Sequence, residues 1–229
     1  MTSALQPRIE IHRTTSQKKW SYLLLDQRQR EIATQIRNEG TLGTLLFSEV
    51  SPVITYGRRT GSADVYLSLE QAEKSGVDLL PVDRGGMATY HGPGQWVVFP
   101  VDTLSRLVGD SRGVRKTVEA LLESAREAAR SLLPPESAAQ IQIKDGCETG
   151  VWSGDQKICS VGIHIEDGVL LHGLALNVFP TAQSFVGLRP CGLDSKMGYL
   201  FSEPSEDHFL AARNQLELQI LKRFWRNPK

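Results

Sequence analysis

The chain has 229 residues, 40% hydrophobic and 23% charged, and its 26 basic and 26 acidic side chains give a formal net charge of zero. That composition suits one globular domain with its own core; it contains no apolar run long enough to cross a bilayer and no global positive field to draw in a nucleic acid. The polar, charged stretch Met1 to Thr15 lacks the apolar centre of a secretory signal, and Cys147, Cys159 and Cys191 are too few and too widely spaced for a disulfide framework, so a cytoplasmic protein is expected.

In chain order, Trp20 to Asn38 carries Tyr22, Leu25, Ile32 and Ile36 at helical spacing and stops at Gly40. Thr44 to Tyr56 is extended, as two strands or one strand broken at Pro52. Leu79 to Asp83 and Trp96 to Val101 are short apolar runs that predict strands, which makes the stretch between them a strand-bounded loop. From Gly113 to Leu133 the apolar residues share one helical face, and Pro134 and Pro135 end the helix. Gly150 to Trp152 and Lys157 to Ile165 flank the turn-rich tetrad Ser153, Gly154, Asp155 and Gln156, and so predict a hairpin. Val169 to Phe179 is the next strand of an antiparallel meander, and Glu206 to Trp225 a last helix. Strands joined by short turns, with helices set apart, predict a single α+β domain with mixed, largely antiparallel sheets.

Three segments could carry chemistry. Arg84 to Gln95, RGGMATYHGPGQ, places four glycines among twelve residues. Glycines allow a ligand to lie close to the backbone, and Arg84 and His91 add a cation and a titratable ring; a long connection whose glycines only satisfy turns is the plainer reading. The segment has neither the Gly-Lys-Ser/Thr ending of a phosphate loop nor the GxGxxG spacing.

Cys191, between Pro190 and Gly192, is expected on a turn, displayed as a nucleophile must be. A free thiol is only a few per cent thiolate near neutrality, so it needs a neighbouring cation or base. Cys147 lies among acidic neighbours, Asp145 and Glu148, and Cys159 falls mid-strand, where a thiol packs as a small hydrophobe. His91, His164 and His172 are candidate partners that the sequence does not rank, and no pair of histidines or cysteines has the short spacing of a metal site.

Five stretches together resemble the lipoyl(octanoyl) transferase family, of the biotin/lipoate ligase fold: VITYGR (Val53 to Arg58), RGGMATYHGPGQ, GVWSGDQKICSVG (Gly150 to Gly162), HGLALNV (His172 to Val178) and PCGL (Pro190 to Leu193). The resemblance implies a mixed-sheet domain in which Cys191 forms an acyl thioester and Lys157 is its catalytic partner. It places Arg84, Gly85, Gly86, Met87, Ala88, Thr89, Tyr90 and His91 at the acyl and substrate site, together with Ser160, Val161 and Gly162 and with Gly173, Leu174 and Ala175. The chain departs from the family pattern at Val50, at Met87 and Ala88, and at Met197 to Leu200.

The activity implied is transfer of an octanoyl group from octanoyl-acyl-carrier protein to a lysine of lipoyl domains, those of 2-oxoacid dehydrogenases and of the glycine cleavage H protein. The donor thioester is already activated, so neither ATP, metal nor other cofactor is expected. Two alternatives stand beside it: an ATP-dependent lipoate ligase, and a non-catalytic acyl-binding module on the same fold.

Overall fold

A computed structural model describes residues 6–60, 65, 67–185, 188 and 196–225. In chain order the elements are β1 (Arg8–Arg13), α1 (Tyr22–Glu39), β2 (Thr44–Glu49), β3 (Val53–Tyr56), α2 (Leu69–Lys74), β4 (Asp78–Pro81), β5 (Thr89–His91) and β6 (Gln95–Val101). There follow α3 (Leu104–Val108), α4 (Val114–Leu132), α5 (Pro135–Ala138), β7 (Ile141–Lys144), a 3-10 turn (Gly146–Glu148), β8 (Gly150–Ser153), β9 (Gln156–Glu166), β10 (Val169–Asn177) and α6 (Glu206–Leu221).

Seven strands form the main sheet in the order β1-β2-β6-β10-β9-β8-β7, and β4-β3-β5 make a smaller one. Among the described strands, parallel pairing joins β1 with β2 and β3 with β4, and the other strand pairs are antiparallel, so the fold is the mixed, largely antiparallel α+β arrangement expected. No described helix is long and apolar enough to cross a membrane.

The central strand β6 shows how the sequence builds three layers. Its side chains alternate across the sheet: Trp96 and Val98 enter the core covered by α4 and α6, whereas Val97, Phe99 and Val101 enter a second core under α1. Both faces are buried, so the strand reads as a continuous apolar run. On the first face the Trp96 ring stacks on Phe209 at 4.2 Å, and its Nε1–H donates to the Phe209 carbonyl at 2.8 Å. On the second, α1 presents Tyr22, Leu25, Gln29, Ile32, Ala33 and Ile36. Ser21 caps that helix by accepting from the Leu24 N–H, and Gly40, left-handed at φ 65°, closes it by donating to the Ile36 carbonyl.

Thr44 to Tyr56 forms two strands, one of the two arrangements expected, with β2 in the main sheet and β3 in the middle of the small one. Other elements differ from expectation. Thr89 to His91, expected within a loop, pairs with β3 as a short strand. The hairpin turn after β8 is confined to Gly154 and Asp155, because Ser153 and Gln156 belong to the strands. The edge strands β1 and β7 are new. β1 is charged and leaves Ile9 and Ile11 more than a third exposed, so it has little of the buried pattern that marks a strand.

Candidate active site

A one-residue irregularity puts Lys157 where it is. Across β8 and β9, Val151 faces Cys159 but Trp152 faces Lys157, so Ile158 is an extra residue, a β-bulge. Ile158 and Cys159 consequently both enter the α4/α6 core, and Lys157 returns to the face of Ser160 and Gly162. With strict alternation Lys157 would share the core side of Cys159. Its side chain is buried, with Nζ 5.8 Å from the centroid of the Trp152 ring. Room for it is provided by Gly150, where a Cβ would run into the lysine's Cε and lie 2.6 Å from the Cys159 carbonyl.

The main chain of Lys157 is held too. Its N–H donates to the Lys196 carbonyl at 3.0 Å, and its carbonyl accepts from the Gly198 N–H at 2.9 Å. Asn177 Nδ2 donates to the Gly198 carbonyl at 3.0 Å, and Asn177 Oδ1 accepts from Gln95 Nε2 at 2.8 Å. Residues 196 to 198 thus run beside Lys157. The expected nucleophile, Cys191, lies outside the described residues, as do Pro190, Gly192 and Leu193.

The glycine-rich loop is organised by Arg84, whose guanidinium is buried and donates to four acceptors: the Thr55 carbonyl (3.0 Å) and hydroxyl (2.7 Å), and the carbonyls of Gly85 (3.1 Å) and Met87 (2.9 Å). The Gly85 N–H donates to the Ile163 carbonyl at 3.0 Å, docking the loop on β9, and a Cβ on Gly162 would sit 3.0 Å from the Gly85 carbonyl. Close backbone approach therefore explains Gly162, whereas Gly86, at φ 92°, serves the turn of the loop.

Beneath the loop lies a cavity of about 500 Å³, within the usual size range for small-molecule sites. Of the residues expected at the substrate site, Arg84, Gly85, Gly86, Met87, Thr89, His91, Ser160, Val161, Gly162, Gly173, Leu174 and Ala175 line it, and Lys157 joins them. Ala88 and Tyr90 do not. Once the segment becomes strand β5, alternate side chains part company, and these two pack with Ile54, Val77 and Leu188 in the small core.

The cavity's lining varies in character. Arg59, Gly146 and Cys147 are exposed at its rim, so Arg59 sits at the site as well as in solvent. Tyr22, His91, His172 and Phe99, all buried, form an aromatic part of its wall. Tyr22 stacks between the two histidines, with ring centroids 5.1 Å from His91 and 6.5 Å from His172.

Burial, helped by the Arg84 charge, pushes His91 down to about 3, so the ring is neutral. Gln95 uses its amide N–H groups on Asn177 and the Tyr90 carbonyl, so its Oε1 accepts from His91 Nδ1–H at 2.7 Å and leaves Nε2 as an acceptor. His172 is pushed to about 4, chiefly by burial and against the pull of Asp26. Its Nδ1 lies 3.2 Å from the Tyr22 hydroxyl.

Of the three candidate histidines, His91 and His172 thus reach the cavity. His164 instead bridges Asp83 (3.3 Å) and Arg58 (3.1 Å) outside it. Cys159 is fully buried, and desolvation pushes its thiol up to about 12 against the opposing Lys157 charge, as befits a packed residue. Tyr22 and Phe99 were not legible as site residues because each reads equally as core, and only the packing of α1 on β6 brings them to the cavity. Among the described residues, no cluster of His, Cys, Asp or Glu is placed to hold a metal ion.

The architecture is that of lipoate ligases. A two-part lipoate protein ligase of Thermoplasma acidophilum, solved in a study with its E2 lipoyl domain, superimposes with a TM-score of 0.62 at 15% identity, over 95% of this chain and 84% of that one. A lipoate-protein ligase A bound with ATP gives 0.68 at 16% identity, over 96% and 85%.

In sequence, residues 26–219 match the family model of the lipoyl protein ligase A/B catalytic domain. An octanoyltransferase of Magnetococcus marinus is 34% identical over 184 residues, 80% of this chain and 77% of that protein. A mitochondrial octanoyltransferase of Arabidopsis thaliana is 33% identical over 178 residues, 77% and 72%. The chain belongs to the lipoyl protein ligase A/B catalytic-domain family, and is an enzyme of that family related to acyltransferases.

Proposed function

We propose that the chain moves an octanoyl group from a carrier-protein thioester to Cys191 and then to a lysine of a lipoyl domain, with Lys157 handling the protons. The observation that carries this reading is the position of Lys157: a bulge turns a buried amine into the cavity, and residues that follow Cys191 in sequence, Lys196 and Gly198, are hydrogen bonded to that lysine's own backbone.

A neighbouring ammonium favours thiolate over thiol. In the first half-reaction Lys157 takes the Cys191 proton, sulfur bonds to the octanoyl carbonyl carbon, the donor's carbon–sulfur bond breaks, and the departing thiolate recovers the proton. In the second, an uncharged acceptor amine attacks the enzyme thioester. The carbon–nitrogen bond forms as the bond to Cys191 breaks, and the amine's surplus proton passes through Lys157 to the cysteine sulfur. Because the acyl group arrives activated, ATP has no role in either half.

Incubation with octanoyl-acyl-carrier protein is expected to add one octanoyl mass to the intact protein and to the peptide holding Cys191. Cys191→Ser should not accumulate that thioester. An adduct on another residue would displace the cysteine from the mechanism, and transfer that depends on ATP and free acid would replace this reading with a ligase.

A further inference from the structure

We propose that His172 measures the acyl chain: its imidazole closes the blind end of the cavity and sets the length of alkyl group that fits. The identity of the ligand rests on the transfer reading above; the device itself rests on how this side chain is delivered.

Along β10, Leu170 and Leu174 face the α4/α6 core, whereas Leu171 and Ala175 face α1. Strict alternation would send His172 with the first pair. Instead its backbone adopts φ 61°, in the left-handed region, and the ring stands on the α1 side, 5.3 Å from Phe99 in an edge-to-face contact and within reach of Tyr22. Such a conformation is costly for a residue with a Cβ and persists only where its surroundings enforce it. Gln29 supplies part of that enforcement, since its Oε1 accepts the His172 backbone N–H at 2.7 Å. The strain thus places one imidazole across the slot.

The position suits a ruler. His172 pairs with Ile163 on β9, six residues along that strand from Lys157 with the bulge between them, roughly 17 Å along the sheet at the usual rise per residue. A lysine reaching in from one end and a ring from the other leave room for an extended medium-length alkyl chain. Up to the ring, each buried methylene should tighten binding about fourfold. At the ring the gain stops, because the imidazole is wedged among Phe99, Tyr22 and Gln29. Its Nε2 is buried, has no hydrogen-bond partner among the described residues and lies 4.0 Å from Asp26; a chain pressed against it would exclude any water from that polar edge.

The left-handed backbone also makes the test clean, since glycine adopts it without strain and asparagine more readily than most residues. Straight-chain fatty acids of increasing length are titrated against the full chain by displacement of a fluorescent alkyl probe. For the natural protein, affinity should rise about fourfold per methylene to about eight carbons and then level off. In His172→Gly the rise should continue for about two to four further carbons, and in His172→Asn for fewer.

Variants that melt cooperatively and keep the original break would overturn the proposal, as would a natural protein whose affinity climbs past about twelve carbons. Octanoyl loading from the carrier thioester is measured in parallel. A break without loading removes the transfer reading and leaves the ruler; loading with an unmoved break removes the ruler alone.

Discussion

The side chain of Lys157, opposite Trp152 in register, packs onto Gly150 with no space between them: a Cβ on Gly150 would overlap the lysine's Cε and stand 3.2 Å from its Nζ. The glycine is not left-handed, so its role here is clearance, for the Lys157 side chain and for the Cys159 carbonyl. Gly150→Ala should therefore push the lysine off its position and, because the same Cβ lies 2.6 Å from the Cys159 carbonyl, strain the β8–β9 pair and lower the melting temperature as well. A misplacement of this kind costs about 100-fold in a reaction that depends on alignment. Single-turnover acyl transfer beside a thermal melt checks this, and full activity in the variant would mean that the lysine's placement does not matter.

The two buried histidines make stability depend on pH in a definite direction. Their folded-state values, about 3 for His91 and about 4 for His172, lie below the ordinary 6.5, so the unfolded chain binds protons that the folded one refuses. The stability they contribute is complete above 6.5 and is lost as pH falls from there towards 4 for His172 and towards 3 for His91. Each could contribute a slope of up to about 1.4 kcal/mol per pH unit in that window. Urea unfolding at a series of pH values should show the loss, and His172→Asn should make it shallower; stability that stays flat between those values would contradict the buried, neutral assignment.

Arg84→Lys should behave as a severe change. A lysine has neither the fork that serves Thr55 twice nor the second arm that reaches the carbonyls of Gly85 and Met87. The expected loss is about 2–4 kcal/mol, from buried acceptors left without donors, together with weaker binding of a fluorescent alkyl probe as the loop over the cavity loosens. An unchanged denaturation midpoint would show that the loop carbonyls find other donors.

Cys147 and Cys159 should separate sharply under a thiol-reactive reagent. Cys147 is exposed at the cavity rim, whereas Cys159 is fully buried with its thiol pushed up to about 12. Under native conditions a maleimide should label Cys147 in minutes and leave Cys159 untouched until denaturant is added, as read by peptide mass mapping. Labelling of Cys159 in the folded protein would mean that β9 opens.

The sequence by itself determined the helices α1, α4 and α6, the β8–β9–β10 meander, the family, and the segments that border the cavity, because periodicity, turn chemistry and motif are local properties of the chain. Tertiary structure decided which way the decisive side chains point. A bulge at Ile158 and a left-handed backbone at His172 each shift one residue out of the alternation that its strand would impose, and pairing of β5 with β3 turns Ala88 and Tyr90 away from the cavity that Met87, Thr89 and His91 line. Such departures depend on neighbours from other segments, Gly150 beside the Lys157 side chain and Gln29 of α1 on the His172 backbone, so they come into being only when those segments meet.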